Sequence, residues 1–297
     1  MATQCPKCGS KNGVWNGHHT TNLGKKRRRL CRDCGCFFTV NGGFLRMRYR
    51  KEIILIAVFL YNCGLSLAKV AEFLWQLMNV KLPRKTILLW DRKYSNIIKN
   101  FVEKLKPKIK GSVHFDEVFL KVKGKQVYLW GAIDRKTKFR FSGPLTQTRP
   151  YEKGAKPLFR QVKYGSKGTP PRIVSDKLGH YKKGFDKYFR NGGAKLSHGV
   201  PIACKKYGLK YNNNPIERDQ RRIRQFSNPK GSFQDHRSAE EQLSLYDSFH
   251  NYIFPHPGLR GRTPAETAGI HLSLGRNRLN SLIKMSSRGV PREHISH

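Results

Sequence analysis

The chain changes its periodicity of apolar positions more than once, and each change predicts a different kind of structure. Through Ile53, Ile56, Ala57 and Leu60 the apolar residues recur on one helical face, and Gly64 supplies a stop. Ser66 then caps a second helix whose stripe runs through Val70, Phe73, Leu74 and Leu77. After Pro83 a third helical segment carries Ile87, Leu88 and Trp90, with Arg84, Lys85, Arg92 and Lys93 on its polar positions. Three helices with a basic face on the third are similar to a helix-turn-helix unit, which places these four cations among the candidate DNA contacts. The connection from Met78 to Pro83 is longer than the usual turn, so an ordinary three-helix packing unit is the competing reading.

Near residue 110 the period shortens. Val113 to Lys123, Gln126 to Asp134 and Lys138 to Thr146 read as strands of a meander, joined by turns at Gly124-Lys125 and Arg135-Lys136-Thr137. A helix is expected around Glu152 to Val162 and a short strand at Arg172 to Ser175. A Gly- and Lys-rich segment follows, then helices at about Pro215 to Gln225 and Arg237 to Phe254. Three antiparallel strands followed by alternating helices and strands predict an α/β domain with a mixed sheet.

Composition adds the partner. Lys and Arg number 59 against 19 acids, a formal net charge of +40 spread along all 297 residues, which points to a polyanion. The 38% hydrophobic content, with 11% aromatic residues, is enough for a folded core and argues against wholesale disorder. Ile53 to Leu60 is the longest apolar stretch, too short to span a bilayer, and Met1 to Asn12 lacks the apolar centre of a signal peptide. The expected location is cytoplasmic, with the nucleoid, and no membrane partner is expected.

Five of the seven cysteines fall within the first 36 residues. Cys5-Pro-Lys-Cys8 and Cys31-Arg-Asp-Cys34 are two C-x-x-C knuckles, each followed by a glycine. Paired thiolates at this spacing grip one tetrahedral Zn²⁺, so residues 1–42 are expected to form a zinc ribbon on Cys5, Cys8, Cys31 and Cys34. Cys36, His18 and His19 are the alternative ligands nearby. Residues 48–106 would be the helical DNA-binding region, 110–270 the α/β domain and 271–297 a basic, partly ordered tail.

In so basic a chain, carboxylates at strand and helix ends stand out. Asp116 sits in the first strand of the meander, and alternation sends its neighbour Glu117 to the opposite face, so only one of the two is expected to share a site with distant residues. Asp176 follows Arg172-Ile-Val-Ser175 directly, at the carboxyl end of a strand where open α/β sheets place ligands. Glu217 opens a helix after Asn212-Asn-Asn-Pro215. Three carboxylates on separate elements could hold two Mg²⁺ ions. Each has a structural alternative: Asn214, Pro215 and Glu217 fit a capping arrangement, Asp176 a turn, Asp116 a salt bridge. Asp134, at the end of the second strand, competes for a metal role or starts a turn. Asp219 points to another side of its helix, and His180 fits a surface position better than a phosphate contact.

The combination resembles the DDE transposases of prokaryotic insertion sequences, particularly the insertion-sequence-six family and its archaeal relatives. The matching segments are Phe-Asp116-Glu-Val-Phe-Leu-Lys-Val-Lys-Gly-Lys, Tyr-Leu-Trp-Gly-Ala-Ile-Asp134, Ile-Val-Ser-Asp176-Lys and Asn-Asn-Pro-Ile-Glu217-Arg-Asp-Gln-Arg-Arg-Ile. The stretch from Phe249-His250 through Pro255-His256 to Thr263-Pro-Ala-Glu266 is also similar. The resemblance implies an RNase H-like catalytic fold, a catalytic triad of Asp116, Asp176 and Glu217, and two Mg²⁺ or Mn²⁺ ions on it. It also implies a DNA-contacting role for Arg224, seven positions after the glutamate. Cleavage of element ends and strand transfer into target DNA are the implied activity, with double-stranded DNA carrying terminal inverted repeats as partner and a homodimer or higher oligomer on it. A non-catalytic zinc-ribbon and helix-turn-helix protein, or an inactive remnant, is the alternative. Forty residues separate Asp176 from Glu217, more than the family pattern suggests, and the extra length is expected as a loop at Asn191 to Gly199.

Overall fold

The computed structural model describes residues 4–5, 7–21, 23–39, 43–44, 47–176, 178–199 and 212–287. The thiol of Cys204 and residues 288–297 of the expected tail lie outside these. The chain divides into two compact units, one comprising Met1–Tyr61, Leu67–Val102 and Leu274–His297, the other Asn62–Ser66 and Glu103–Ser273.

The first unit opens with β1 (Gly13–Thr21) and β2 (Gly24–Cys31), an antiparallel hairpin to which β3 (Phe37–Phe38) adds a short third strand. Its small core is Cys5, Cys31 and Phe38. Helices α1 (Lys51–Asn62), α2 (Leu67–Met78) and α3 (Arg84–Val102) follow with the predicted breaks; Gly64 takes the left-handed conformation (φ +97°) that ends α1. The buried face of α1 is rotated from the expected stripe: Ile53, Ile54, Ala57, Val58 and Tyr61 are buried, whereas Ile56 and Leu60 are only half-buried. On α2, Val70 and Leu74 are buried while Leu77 is 68% exposed, so the apolar pattern there overstates the core.

The second unit is built on one sheet. Strands β4 (Val113–Val122), β5 (Lys125–Asp134) and β6 (Arg140–Thr146) form the antiparallel meander. Lys123 and Gly124 both adopt positive φ (51° and 73°), so the tight turn lies one residue earlier than the sequence suggests. A π-helical turn (Tyr151–Ala155) leads into α4 (Lys156–Tyr164), and β7 (Arg172–Ser175) then pairs parallel to β4.

The Gly- and Lys-rich stretch holds two elements that the pattern does not predict. Helix α5 (Gly179–Tyr188) buries Tyr181, Gly184 and Phe185 at helical spacing, and β8 (Lys195–His198) pairs parallel to β7. Asn191 to Gly199 is therefore not an inserted loop but contains the edge strand of the sheet. Helices α6 (Asn214–Ser227) and α7 (His236–Ser248) follow, α7 running on through a second π-helical turn (Phe249–Ile253), and then α8 (Pro264–Thr267). Finally α9 (Arg278–Ser286) buries Leu279, Leu282 and Ile283 and packs against α3 in the first unit, so this part of the expected tail is a folded helix.

The sheet order is β6-β5-β4-β7-β8, three antiparallel strands continued by two parallel ones: the arrangement of the RNase H-like fold. Both faces are covered. Val118, Leu120 and Val122 of β4 join Ile223 and Phe226 of α6 and Ala239, Leu243 and Tyr246 of α7 in one core. On the other face Phe115 stacks on Phe159 of α4, ring centroids 4.3 Å apart, beside Tyr181 of α5. Helix α6 is further fixed by charge: Arg140, buried on β6, pairs with Asp219 of α6 and, at 2.6 Å, with Asp247 of α7.

Candidate active site

Alternation along β4 directs Asp116 toward α6 and Glu117 toward α5. The two carboxylates nevertheless converge. Strand β7 pairs with β4 only at Val113↔Ile173 and His114↔Val174 and ends at Ser175, so no strand flanks that edge of β4 at Asp116 and Glu117, and its next backbone partner there is Phe233, which bridges Val122. Side chains from both faces reach around the open edge to Asp176, and one oxygen from each of Asp116, Glu117 and Asp176 lies within 4.8 Å of the others. The expectation that only one of the adjacent pair could join the site is thus corrected. Alternation separates neighbours where a strand is flanked on both sides, not where its edge is open.

Each carboxylate is held differently. Asp116 accepts the Glu117 amide (2.9 Å), and Asp176 accepts the Leu178 amide (3.0 Å), the local turn that follows β7. Glu117 is 6% exposed; Tyr181 donates its hydroxyl to one oxygen (2.5 Å) and the Arg149 guanidinium lies 3.0 Å from the other. Arg149 in turn packs over the rings of Phe119 and Tyr128. Burial, reinforced by the Glu117 charge, pushes the Asp116 carboxyl up to about 7. Burial raises Glu117 as well, against the opposing effects of Tyr181 and Arg149.

Glu217 is half-buried near the start of α6 and is not one of the tight group of three. The cap of α6 is Asn213, one residue before the expected Asn214, and makes no side-chain capping bond. Glu217 is therefore not the third helical residue that a capping box requires. One turn further on, Gln220 donates to the Glu117 carbonyl (3.1 Å), bringing this face of α6 onto β4. Arg224, exposed, donates to Gln220 (3.4 Å), so it projects from the same face.

Other sequence candidates lie apart from this centre. Asp134 is buried in a turn, accepting from the amides of Lys110 and Lys136 and the Thr137 hydroxyl, each at 2.9 Å. Asp219 is the buried partner of Arg140, and the ring of half-buried His180 lies 6.3 Å from that of Tyr151. Buried His250 bonds the Lys138 carbonyl (2.9 Å), and His256 contacts Arg222 (3.0 Å). On α3, Arg84 and Lys85 are exposed in the first turn, while Arg92 and Lys93 are half-buried. The residues that sequence reasoning passed over are Glu117, Tyr181, Arg149 and Gln220; only the two acids side by side in β4 could have drawn attention to the first.

At the other end of the chain the Sγ atoms of Cys5, Cys8, Cys31 and Cys34 lie within 4.8 Å of one another, with Cys5–Cys34 and Cys8–Cys31 each at 3.6 Å. A tetrahedral ion with bonds of about 2.3 Å needs sulfurs about 3.8 Å apart, close to what is found. Cys36 instead contacts the Phe37 carbonyl, and His18 and His19 are outside the cluster. Among the described residues, no helix is long and apolar enough to cross a membrane.

The strand order is that of an RNase H-like domain, and at the end of β7 it places a group of three carboxylates that could hold a metal ion. Residues 110–255 match the family described as a DDE domain. An uncharacterized protein of Methanocaldococcus jannaschii is 34% identical over 108 residues, 36% of this chain and 48% of that protein, so the chain spans about half the length of this relative. A transposase for insertion sequence-like element IS431mec of Staphylococcus aureus is 26% identical over 182 residues, 61% of this chain and 76% of that one. Among solved structures, the HTLV-2 integrase catalytic core domain in complex with magnesium aligns with a TM-score of 0.37 and 13% identity, covering 55% of this chain and 97% of that chain. The segment 110–255 belongs to the DDE transposases of insertion sequences.

Proposed function

We propose that the chain cleaves the ends of an insertion sequence and joins the freed strand to target DNA, using Asp116, Asp176 and Glu217 as its acidic triad. The observation that carries this reading is the convergence of carboxylates at the end of β7 within a matched DDE domain. The site fits a divalent metal. Its donors are all hard oxygens, the acids crowd one another enough to raise Asp116, and Arg149 is the cation paired with Glu117. Two Mg²⁺ or Mn²⁺ ions would supply Lewis acidity at the attacking and leaving oxygens.

Within this reading Asp116 takes the central position, reached from β4 between Asp176 and the face of α6. Glu217 approaches from α6, which the buried Arg140–Asp219 pair holds in place. Arg224 contacts a DNA phosphate from the same face, and Arg84, Lys85, Arg92 and Lys93 are assigned to DNA from α3. No activated Ser, Cys or Tyr nucleophile is required, because phosphoryl transfer needs positioning and charge neutralisation rather than a covalent intermediate. The four cysteines hold a structural Zn²⁺, and the ribbon with helices α1 to α3 recognises the terminal inverted repeats. Two element ends must be brought together, so the working form is a homodimer or larger assembly on double-stranded DNA. The net charge of +40 supports a polyanionic partner and predicts binding that weakens steeply with salt.

The test is nicking and joining of labelled DNA carrying the terminal repeats, with Mg²⁺ or Mn²⁺, for the parent, Asp116→Asn, Asp176→Asn and Glu217→Gln. Cleavage at the repeat ends by the parent alone, with DNA binding retained in all four, supports the triad. Equal binding without cleavage by any of them refutes the catalytic reading and leaves a DNA-binding protein.

A further inference from the structure

Glu117 is the one acid of the cluster to which the triad gives no task. It is 6% exposed, its neighbour Asp116 is also acidic, and Asp176 lies within the same 4.8 Å group. A glutamate serving only to pair with Arg149 would not need this position: the arginine side chain is 38% exposed and would find water or phosphate as readily. Burying a carboxylate against two others is costly unless something positive sits between them. Two donors instead keep Glu117 in place. Tyr181, itself buried on α5, fixes one oxygen, and Arg149, braced by Phe119 and Tyr128, fixes the other. Each carboxylate oxygen has two lone pairs, so both bonds leave acceptor capacity directed at the cluster.

We infer that Glu117 is a fourth carboxylate of the divalent-metal centre, with Tyr181 and Arg149 as the positioning residues that hold it toward Asp116 and Asp176. This rests on the metal-dependent reading of the preceding subsection. The open edge of β4 makes it possible: two consecutive residues serve one centre because the strand that would separate them has ended. Glu117 then contributes charge and a ligand atom from the α5 side, while Glu217 approaches from the α6 side.

The test is Mn²⁺ binding to the full-length, zinc-loaded protein, followed by electron paramagnetic resonance of the free ion. Parent, Glu117→Gln, Tyr181→Phe, Asp116→Asn and the surface variant Asp186→Asn are compared, with circular dichroism as a check on folding. Loss of a ligand or of its orienting partner weakens metal binding by about 10- to 100-fold in comparable sites. Glu117→Gln is expected in that range, Tyr181→Phe at its lower end, and Asp186→Asn unchanged. If Asp116→Asn weakens binding and Glu117→Gln does not, the inference is overturned while the metal-dependent reading stands. If the parent binds no Mn²⁺ beyond what Asp116→Asn binds, both fall. Should Glu117→Gln prove unfolded, Tyr181→Phe decides: Mn²⁺ affinity equal to the parent's overturns the proposal.

Discussion

An acidic centre without its cations is a site of stored repulsion, and Asp116 allows the size of that repulsion to be worked out. Its carboxyl is raised from an ordinary 3.8 to about 7, by burial first and the Glu117 charge second. At about 1.4 kcal/mol per tenfold change in proton affinity, the ionised form costs the fold about 4 kcal/mol. The sign follows from linkage: between about pH 4 and pH 7 the folded chain holds a proton that the unfolded chain has released. Stability from this group is therefore lost as pH rises across that window and stays low above it. Asp116→Asn removes the charge and keeps an oxygen for the Glu117 amide, so without Mg²⁺ or Mn²⁺ the variant should be more stable than the parent. Allowing for relaxation of the neighbouring acids, a gain of about 2 kcal/mol or more is expected near pH 8, shrinking to less than half by about pH 5. Hydrogen exchange of the β4 and β5 amides reads the opening free energy locally, comparing the two proteins at each pH. Added Mn²⁺ should protect the parent and not the variant. A variant equal to or less stable than the parent at pH 8 would refute the reasoning.

Three further outcomes are expected. Arg140→Met leaves buried Asp219 and half-buried Asp247 without their cation and should cost about 3–5 kcal/mol in urea unfolding, partly recovered by adding Asp219→Asn and Asp247→Asn; no loss would mean the pairs are not formed. Gly154→Ala places a Cβ against the buried Trp130 indole and should lower stability by about 1–3 kcal/mol in thermal unfolding, whereas an unchanged midpoint would mean that the π-helical turn shifts freely. The purified protein should carry one zinc per chain by metal analysis; Cys31→Ser should lose it and expose residues 5–38 to proteolysis, and a parent free of zinc would dismiss the ribbon.

The residues differ in how openly they announce their structure. The meander was legible because β4 and β5 are ten-residue runs rich in β-branched and aromatic residues and a Gly-containing turn joins them. Strand β7 was legible as Ile-Val between polar flanks, which placed Asp176 at a strand end. Helix α5 was not, since its ten residues include two glycines and three lysines and bury only Tyr181, Gly184 and Phe185. The helical spacing of Leu279, Leu282 and Ile283 was present in the sequence but masked by basic, polar flanks. Glu117 was misjudged for a different reason: alternation is a local rule, and where β7 stops relative to β4 is a property of pairing that no stretch of β4 records. The same limit applies to Gln220, an unremarkable residue of an Arg-rich helix until α6 is laid on the sheet.

The Arg140–Asp219–Asp247 cluster bears on how the activity proposed above could be lost. Asp219 stands two positions after Glu217, about 200° around the helix. Locking Asp219 beneath the sheet therefore sets the rotational angle of α6, and with it the direction in which Glu217 points. A variant chain could lose that activity by losing Arg140 or Asp247 alone. It would keep every acid of the proposed triad and every basic residue of its surface, yet aim Glu217 away from the other two acids.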